Sequence, residues 1–294
     1  MFDFFKTLFT PVIAILDFIT KYFKTVVFLT IIYFVVGSDD VAVKEMNSGA
    51  NLQKIELVGP ILDVKTVLEK IDEAKSNKNI KGVLLEVNSP GGAVAPSVEL
   101  TYAIKELVAK KPVVAYASGI MASGSYYASI YANKIIANPG SMVGSIGVIF
   151  QGTNLEELME KIGVATQTVK AGRFKEAGTP TRDWKAYEKE ELEKVINDTY
   201  DMFITDVATA RKLDKTKHEE FADAHIFTAR QAQKVGLIDE VGTMSLAQEA
   251  LYQLSDVKNP VWTKEDKFEK FMDKIINEAV SNFSVHFSNG LKAY

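Results

Sequence analysis

The sequence predicts an α/β fold organised around a parallel β-sheet. Two runs of strand length, Ile80–Val87 and Pro112–Ala117, are apolar along nearly their whole length, which is typical of strands buried on both faces of a sheet. Each follows or precedes a segment whose apolar residues recur at helical spacing, Val64–Asn77 and Ser97–Ala109. Strands that alternate with amphipathic helices indicate parallel pairing, because parallel neighbours need a crossover connection.

Further elements extend this pattern along the chain. A strand candidate lies within Asn51–Leu62, and two short strands are predicted at Lys134–Ala137 and Ile146–Phe150. A long helix is predicted from about Trp184 to Leu213, and Phe227–Val235 forms a short helix that ends at a glycine. In parallel sheets functional residues gather beyond the carboxyl ends of the strands, so the loops at those ends are the places to look for chemistry.

The first 40 residues differ in composition from the rest of the chain. No charge lies between Thr25 and Gly37, and extending this run to residues 22–38 gives the shortest helix able to span a bilayer, with Lys24 at the interface. More lysines precede the run than follow it, so the positive-inside rule places the N-terminus in the cytoplasm. A cleaved secretory signal is the alternative, but no A-x-A-like site follows. We predict an interfacial segment and single-pass membrane anchor over 1–45, a folded body over 46–257 and an amphipathic tail over 258–294.

Composition excludes several classes of function. The formal net charge is −4, so no basic excess indicates nucleic-acid binding. The chain has no cysteine, which excludes a catalytic thiol, disulfides and thiolate metal sites. With only three histidines, a multi-histidine metal site is not expected.

Two glycine-containing turns carry the candidate chemistry. Ser123 follows a buried strand, has the small neighbours Ala122 and Gly124, and opens a helix whose N-terminal N–H groups favour a developing oxyanion. The motif NSPGG, residues 88–92, follows the preceding strand, and its glycines let backbone N–H groups approach a ligand closely. Taken alone, the first turn is also consistent with a serine N-cap and the second with a type II turn.

A nucleophilic serine needs a base, and the sequence restricts the choice. No histidine precedes His218, which lies in a charged stretch. A lysine can act as the base when its amine is neutral, and Ser–Lys pairs are a known variant of the catalytic triad. Lys170 and Lys175 are both candidates, and composition and periodicity do not choose between them.

Five motifs follow one another along the chain, NSPGG (88–92), MASGSYYAS (121–129), GSIGVIF (144–150), VKAGRFKEAGTPTRDW (169–184) and ADAHIFTARQAQKVGLIDEVG (222–242). Together they resemble the signal peptide peptidase A family of membrane-anchored serine proteases. The single copy of the pattern resembles the short form of the family. The resemblance implies the fold of the Clp protease and the crotonases, built on repeated ββα units, with a serine protease domain over 46–257.

The resemblance also implies a role for each matching residue. Ser123 would be the nucleophile and Lys175 the general base, which favours Lys175 over Lys170. Ser145 would orient the lysine amine, and Gly124 with Gly91 or Gly92 would supply the oxyanion N–H groups.

Two departures from the family pattern leave alternatives open. Ser125 stands where a second glycine is usual and is a rival hydroxyl. His225 replaces a more usual arginine, and we interpret it as a structural or pocket-rim residue in preference to a third catalytic member.

The function implied by the resemblance is the degradation of released signal peptides and unfolded apolar peptides by a Ser/Lys dyad. No cofactor or metal is implied. The protein is expected in the bacterial inner membrane, with the protease domain outside the cytoplasm and the chain assembled into a ring-like homo-oligomer. A catalytically inactive scaffold and a crotonase-like acyl-CoA enzyme are the alternatives, although an outward-facing domain would not meet cytosolic acyl-CoA.

Overall fold

The computed structural model of the chain describes residues 17–18, 20–30 and 49–264. Residues 50–262 form one compact unit in which helices and strands alternate. Its elements are β1 (Leu52–Val58), α1 (Lys65–Ser76), β2 (Gly82–Ser89), α2 (Val94–Val108), β3 (Val113–Ala122), α3 (Gly124–Ser129), β4 (Lys134–Ala137), β5 (Met142–Gly144), α4 (Glu156–Lys161), α5 (Ala186–Arg211), a 3₁₀ segment (Lys215–Glu220), β6 (Ile226–Thr228), α6 (Ala229–Lys234), β7 (Glu240–Val241) and α7 (Met244–Ser255).

The strands form a mainly parallel sheet that changes partners along β3. Its main path runs β1-β2-β3-β4-β7, with every neighbouring pair parallel. The first part of β3 pairs with β4 through Val114–Ala117, and its last part pairs with β5 through Ile120–Ala122. Only β6 is antiparallel to its partner, β5, among the described strands. This change of partner brings the ends of β2, β3 and β5 to one edge of the sheet.

The packing of the core explains why the sequences of the central strands are apolar along nearly their whole length. Along β2, Val83 and Leu85 face the larger apolar cluster, while Leu84 faces a second cluster beneath α7. Both faces of the strand are therefore covered, and no position needs to be polar. The predicted α/β fold is confirmed by this arrangement.

Two strand boundaries differ from the sequence prediction. The strand predicted at residues 146–150 is wrong, because β5 ends at Gly144. Gly144 and Ser145 have φ values of 113° and 50°, in the left-handed region that ends an extended strand. In contrast, β3 continues to Ala122, five residues past the predicted end at Ala117, because its last part pairs with β5.

The predicted membrane anchor falls largely outside the described residues. Residues 20–30 are helical, and residues 31–38 of the predicted span are not among those described. Within the described ranges, no helix combines the length and the apolar character that a bilayer crossing requires.

Packing of α7 on the sheet generates a stability prediction. Leu251 is fully buried against β2, and a Cβ built on Gly82 would come within 2.9 Å of Leu251 Cδ1. Leu251→Ala should lower the free energy of unfolding by about 2–5 kcal/mol, because the lost contacts leave a cavity that the sheet cannot fill. Chemical denaturation followed by circular dichroism measures the change.

Leu254 on the same helix provides the matched control, because it is 46% exposed. Leu254→Ala should change the free energy of unfolding by no more than about 0.5 kcal/mol. Equal losses for the two variants would contradict the packing described for α7.

Candidate active site

Ser123 occupies a strained turn between β3 and α3. Its backbone has φ 53° and ψ −124°, a conformation that is rare for any residue other than glycine. The Ser123 N–H donates to the Gly144 carbonyl at 2.8 Å, and the Ser123 carbonyl accepts from the Tyr127 N–H at 3.0 Å. A serine held on a sharp strand-to-helix turn presents its hydroxyl outward, as in the nucleophile elbow of hydrolases. The residue is half-buried, so the hydroxyl remains reachable.

The NSPGG turn lies directly against Ser123. Gly91 has φ +88°, and a Cβ built on it would lie 2.6 Å from Gly124 N and 2.8 Å from Ser123 Cβ. A Cβ on Gly124 would lie 2.1 Å from Ser97 Oγ. The two turns therefore approach each other so closely that Gly91 has no room for a side chain, and Gly124 has none because α2 lies against it.

Two backbone N–H groups at this junction have no hydrogen-bond acceptor among the described residues. The Gly91 N–H donates to Ser89 Oγ at 3.2 Å, so it is already used. Gly124 is the first residue of α3, where a helix offers its N–H no acceptor. Over residues 49–264, no hydrogen bond uses the N–H of Gly92 or Gly124, and the Cβ built on Gly124 lies 3.5 Å from Gly92 N. Of the two predicted alternatives, Gly92 is thus the one whose donor is available.

Ser125 is buried and fully engaged, unlike Ser123. Its hydroxyl accepts from the Ala122 N–H at 2.9 Å and lies 2.6 Å from the Ser89 carbonyl oxygen. These contacts join the ends of β2 and β3. The side chain has no exposed surface, so Ser125 does not offer the accessible hydroxyl that a nucleophile needs.

Ser145 follows the end of β5, the strand beside Ser123. The two serines lie next to each other just beyond the paired strand ends, because the Ser123 N–H donates to the carbonyl of Gly144, the residue before Ser145. The Ser145 N–H in turn donates to the His225 carbonyl at 2.7 Å. His225 therefore supports this turn through its backbone, whereas its side chain is exposed beside Phe227.

Lys175 lies on an exposed turn away from Ser123. Its neighbours Arg173 and Phe174 both contact the Tyr187 ring in the first turn of α5. Ser123, by contrast, shares a cavity with Met202, fifteen residues further along the same helix. At 1.5 Å per residue these two points on α5 are about 22 Å apart. The structure therefore does not bring Lys175 and Ser123 together within one chain.

Lys170 is held as a cation in a network of ion pairs. Its Nζ lies 2.5 Å from Glu176 Oε2, and the hydrogen bond to Glu176 raises the pKa of Lys170. Arg182 bridges Glu176 at 3.1 Å and the buried carboxylate of Glu188 at 2.8 Å. The hydrogen bond from Lys170, followed by the one from Arg182, lowers the pKa of Glu176 to about 2. The hydrogen bonds from Arg182 lower the pKa of Glu188 to about 2 as well. No side-chain hydrogen bond or ion pair occupies the Lys175 ammonium in the described part of the chain.

Sequence reasoning missed the cavity beside Ser123. It has a volume of about 30 Å³ and lies between the Ser123 turn and the side of α5. Thr199, Met202 and Phe203 contribute from α5 at positions i, i+3 and i+4. Helical periodicity assigns these residues to one face, but it does not indicate which loop that face meets.

Comparison with known proteins identifies the family of the chain. Residues 105–258 match the model of peptidase family S49. The chain belongs to peptidase family S49. By family, it is a serine peptidase.

Three relatives show how far this similarity extends. The chain is 43% identical over 198 residues to a protein of Methanocaldococcus jannaschii, covering 67% of this chain and 64% of that relative. It is 33% identical to the chloroplast serine protease SPPA of Arabidopsis thaliana, covering 72% of this chain and 32% of the relative. It is 30% identical to Protease 4 of Haemophilus influenzae, covering 71% of this chain and 34% of that relative. The chain thus spans about a third of the longer relatives.

Two solved structures were also matched. The first is a membrane-bound stomatin-specific protease, which is 17% identical over 68% of this chain and 84% of that protein. The second is ClpP1 from Listeria monocytogenes, which is 16% identical over 69% of this chain and 96% of that protein. Both have a TM-score of 0.48.

The ion-pair network around Arg182 generates a prediction about stability and pH. Arg182→Ala should lower the melting temperature by several degrees at pH 7, because it leaves the buried Glu188 carboxylate without the cation that balances its charge. The folded-state pKa of both glutamates lies below the unfolded value. Their contribution to stability is therefore present above about pH 4.5 and is lost as the pH falls toward about 2. The difference in melting temperature between wild type and Arg182→Ala should therefore become smaller as the pH falls over that range.

Lys215→Ala is the control for this measurement, because the Lys215–Asp201 pair is exposed. Exposed pairs contribute about 0–1 kcal/mol, so this variant should melt close to wild type at every pH. If Arg182→Ala melts below wild type by the same number of degrees at pH 7 and at pH 2.5, the role assigned to the two glutamates is contradicted.

Proposed function

We propose that this S49 peptidase is a membrane-anchored serine endopeptidase that degrades released signal peptides and other unfolded, apolar peptides through Ser123 and Lys175. One observation carries the proposal. Ser123 stands on a strained strand-to-helix turn, and the free N–H groups of Gly92 and Gly124 lie at the same junction. A nucleophile beside two convergent donors is the arrangement that acyl transfer requires.

The first chemical step follows from this arrangement. Ser123 Oγ attacks the carbonyl carbon of the scissile peptide bond while its proton passes to a base. The carbonyl oxygen gains negative charge, which the N–H groups of Gly92 and Gly124 stabilise by hydrogen bonds. Each such donor contributes about 10²–10³-fold to the rate in related chemistry. The amine then leaves with the proton, and water releases the acyl group from Ser123.

The contacts of the two candidate lysines favour Lys175 as the base. Lys170 is bound to Glu176, and this contact stabilises its charged form. A charged amine cannot accept a proton. The Lys175 side chain is free of ion pairs within the described residues, and Ser145 lies beside Ser123, where its hydroxyl would orient an incoming amine.

The separation along α5 supports a second copy of the chain as the source of Lys175. A lysine acts as a base only when its amine is neutral, and desolvation favours the neutral form. Lys175 is exposed in the single chain, so a covering partner would supply that desolvation. Residues 149–169 expose apolar side chains that suit such a contact, namely Ile149, Leu158, Ile162, Val164 and Val169. A ring-like homo-oligomer would let every chain both give and receive a lysine.

The proposed location and substrate rest on the N-terminal sequence. The uncharged run Thr25–Gly37, preceded by lysines, supports an inner-membrane anchor with the protease domain outside the cytoplasm. A peptidase held at the membrane surface meets the apolar peptides that leave the bilayer. No cofactor takes part in the proposed reaction.

The full-length protein in detergent or vesicles, with an unfolded apolar peptide as substrate, provides the first test. Ser123→Ala and Lys175→Ala should each lower kcat/KM by at least about a thousandfold, because each removes a group that acts in the transition state. Lys170→Ala is the matched control and should keep most of the activity.

The same series contains the outcomes that contradict the proposal. Loss of activity in Lys170→Ala with retention in Lys175→Ala would reverse the assignment of the base. A wild-type protein that is folded and assembled but cleaves no unfolded peptide would support the inactive scaffold instead.

Co-expression of two inactive chains tests the source of the lysine. Ser123→Ala and Lys175→Ala chains that assemble together should regain activity, since an intact Ser123 then meets an intact Lys175 from its neighbour. Random one-to-one assembly predicts activity in about a quarter of the sites. Ser123→Ala co-expressed with the Ser123→Ala/Lys175→Ala double variant is the control and should stay inactive. No recovery in co-assembled Ser123→Ala and Lys175→Ala chains would show that both groups act within one chain.

A further inference from the structure

We propose that the side-chain amide of Asn88 positions Ser123 for the reaction, because it holds a bulge in β3 that sets where this strand meets the Gly92 turn. Asn88 is the first residue of the NSPGG motif, and its side chain has no part in the chemistry proposed above. The inference rests on the proposed role of Ser123 as the nucleophile and deepens it. It names the contact that fixes the nucleophile relative to the oxyanion donors.

The pairing of β2 with β3 is interrupted shortly before both strands reach the site. It is regular up to the pair of Val87 with Ala117 and resumes at the pair of Ser89 with Met121. Between these pairs β2 has one residue and β3 has three, so β3 carries a bulge with two extra residues. The bulge coincides with the change of partner, because β3 pairs with β4 before it and with β5 from Ile120 onwards. Since a bulge bends its strand, it gives β3 the direction in which it continues to the site.

The Asn88 side chain lies where the regular pairing is interrupted. Its Oδ1 accepts from the Ile120 N–H at 3.1 Å, across the bulge from β2 to β3. The donor is a backbone N–H, so the oxygen of the amide is the atom that faces β3. The Asn88 carbonyl accepts from the Gly59 N–H, which follows β1, at 3.0 Å. Asn88 is therefore held on one side by the chain after β1 and holds the bulge on the other.

Gly119 shows how closely the amide fits the bulge. A Cβ built on Gly119 would lie 2.4 Å from Asn88 Oδ1 and 3.0 Å from Asn88 Cγ. Its three nearest atoms outside residues 118–120 all belong to this amide. The φ of Gly119 is not positive, so the backbone does not by itself demand glycine. Glycine is therefore required at position 119 by the contact with Asn88.

The bulge lies close to the nucleophile along the chain. Ser123 follows Ile120 by three residues, and over this stretch β3 runs beside β5 until the Ser123 N–H donates to the Gly144 carbonyl. On the neighbouring strand, Gly92 follows Asn88 by four residues. The Asn88 amide thus joins the two strands whose ends carry the nucleophile and an oxyanion donor. A displacement of about 1 Å at such a site can lower the rate by about a hundredfold.

The Asn88 side chain lies on the face of the sheet opposite the cavity beside Ser123. Side chains alternate between the two faces along a strand, and Leu84 faces the apolar cluster beneath α7. Asn88, four residues later, lies on the same face. Tyr127 and Phe203, which line the cavity, belong to the larger cluster on the other face. Asn88 is therefore a positioning residue, and its loss should slow the reaction without weakening the binding of the peptide.

Steady-state kinetics of the full-length protein with an unfolded apolar peptide test this role. Asn88→Ala should lower kcat at least about tenfold and change KM by less than about twofold, because Ser123 moves while the peptide contacts remain. Asn88→Asp keeps an oxygen that accepts from the Ile120 N–H, so its kcat should stay within about threefold of wild type. A higher KM with unchanged kcat in Asn88→Ala, or no rescue by Asn88→Asp, overturns the proposal.

Asn133 supplies the matched control at the other end of the same strand. Its Oδ1 accepts at 2.8 Å from the N–H of Val113, the first residue of β3. Asn133→Ala and Asn88→Ala each remove one hydrogen bond from an asparagine to β3, so they should lower the melting temperature to a similar extent. Only Asn88→Ala should lower kcat. An equal loss of kcat in Asn133→Ala would show that lost stability, and not the position of Ser123, causes the effect.

Gly119→Ala tests the fit between the amide and the bulge. Its Cβ would displace the Asn88 amide, so the single variant should lower kcat at least about fivefold. In Asn88→Ala the obstacle is absent, and adding Gly119→Ala should change kcat by less than about twofold. If the two substitutions instead lower kcat by independent factors that multiply in the double variant, the proposal is overturned.

Hydrogen exchange followed by mass spectrometry separates this inference from the proposed function. In Asn88→Ala the backbone amides of residues 118–124 should exchange at least about tenfold faster than in wild type, while those of β4 stay unchanged. This result supports the inference even if wild type cleaves no peptide, which would contradict only the proposed function. Exchange at residues 118–124 that is the same in wild type and Asn88→Ala overturns the inference whether or not the protein is an active peptidase.

Discussion

The close approach of three backbone turns is the constraint on which the candidate site depends. The turns after β2, β3 and β5 meet because β3 exchanges one parallel partner for another along its length. The hydrogen bond from Ser123 to Gly144 then holds the left-handed conformation of Ser123 in place. A residue other than glycine adopts such a conformation only where its surroundings enforce it. Strand pairing and backbone hydrogen bonds therefore fix the position of the site, and the side chains supply its reactive groups.

Serines at this junction have different roles because their surroundings differ. Ser125 joins two strand ends and is saturated with hydrogen bonds, whereas Ser123, two residues earlier, uses only its backbone to hold the turn. The same division applies to the glycines, since the Gly91 N–H donates to Ser89 Oγ, whereas the Gly92 N–H makes no hydrogen bond within residues 49–264. Identity of residue type thus does not decide function here. The decisive quantity is which polar groups the fold has left unsatisfied.

The lysine-bearing segment follows a different physical rule from the serine site. It carries little buried surface of its own, and ion pairs that end on the buried Glu188 tie it to α5. This attachment lies far along α5 from the cavity beside Ser123. A site divided in this way would be inactive in the isolated chain and would become active only on assembly, which would protect other proteins from an unassembled peptidase.

Local patterns were enough to predict the α/β class, the order of most elements and the turns that carry Ser123 and the NSPGG glycines, because apolar periodicity and glycine content are properties of short segments. Both lysine candidates also lie in one sequence motif, residues 169–184. Only the tertiary structure decided that β5 ends at Gly144, that Ser125 is buried and that Gly92 keeps a free donor. These outcomes depend on contacts between segments distant in the chain. For the same reason, no local pattern in α5 indicated that Met202 would lie beside Ser123.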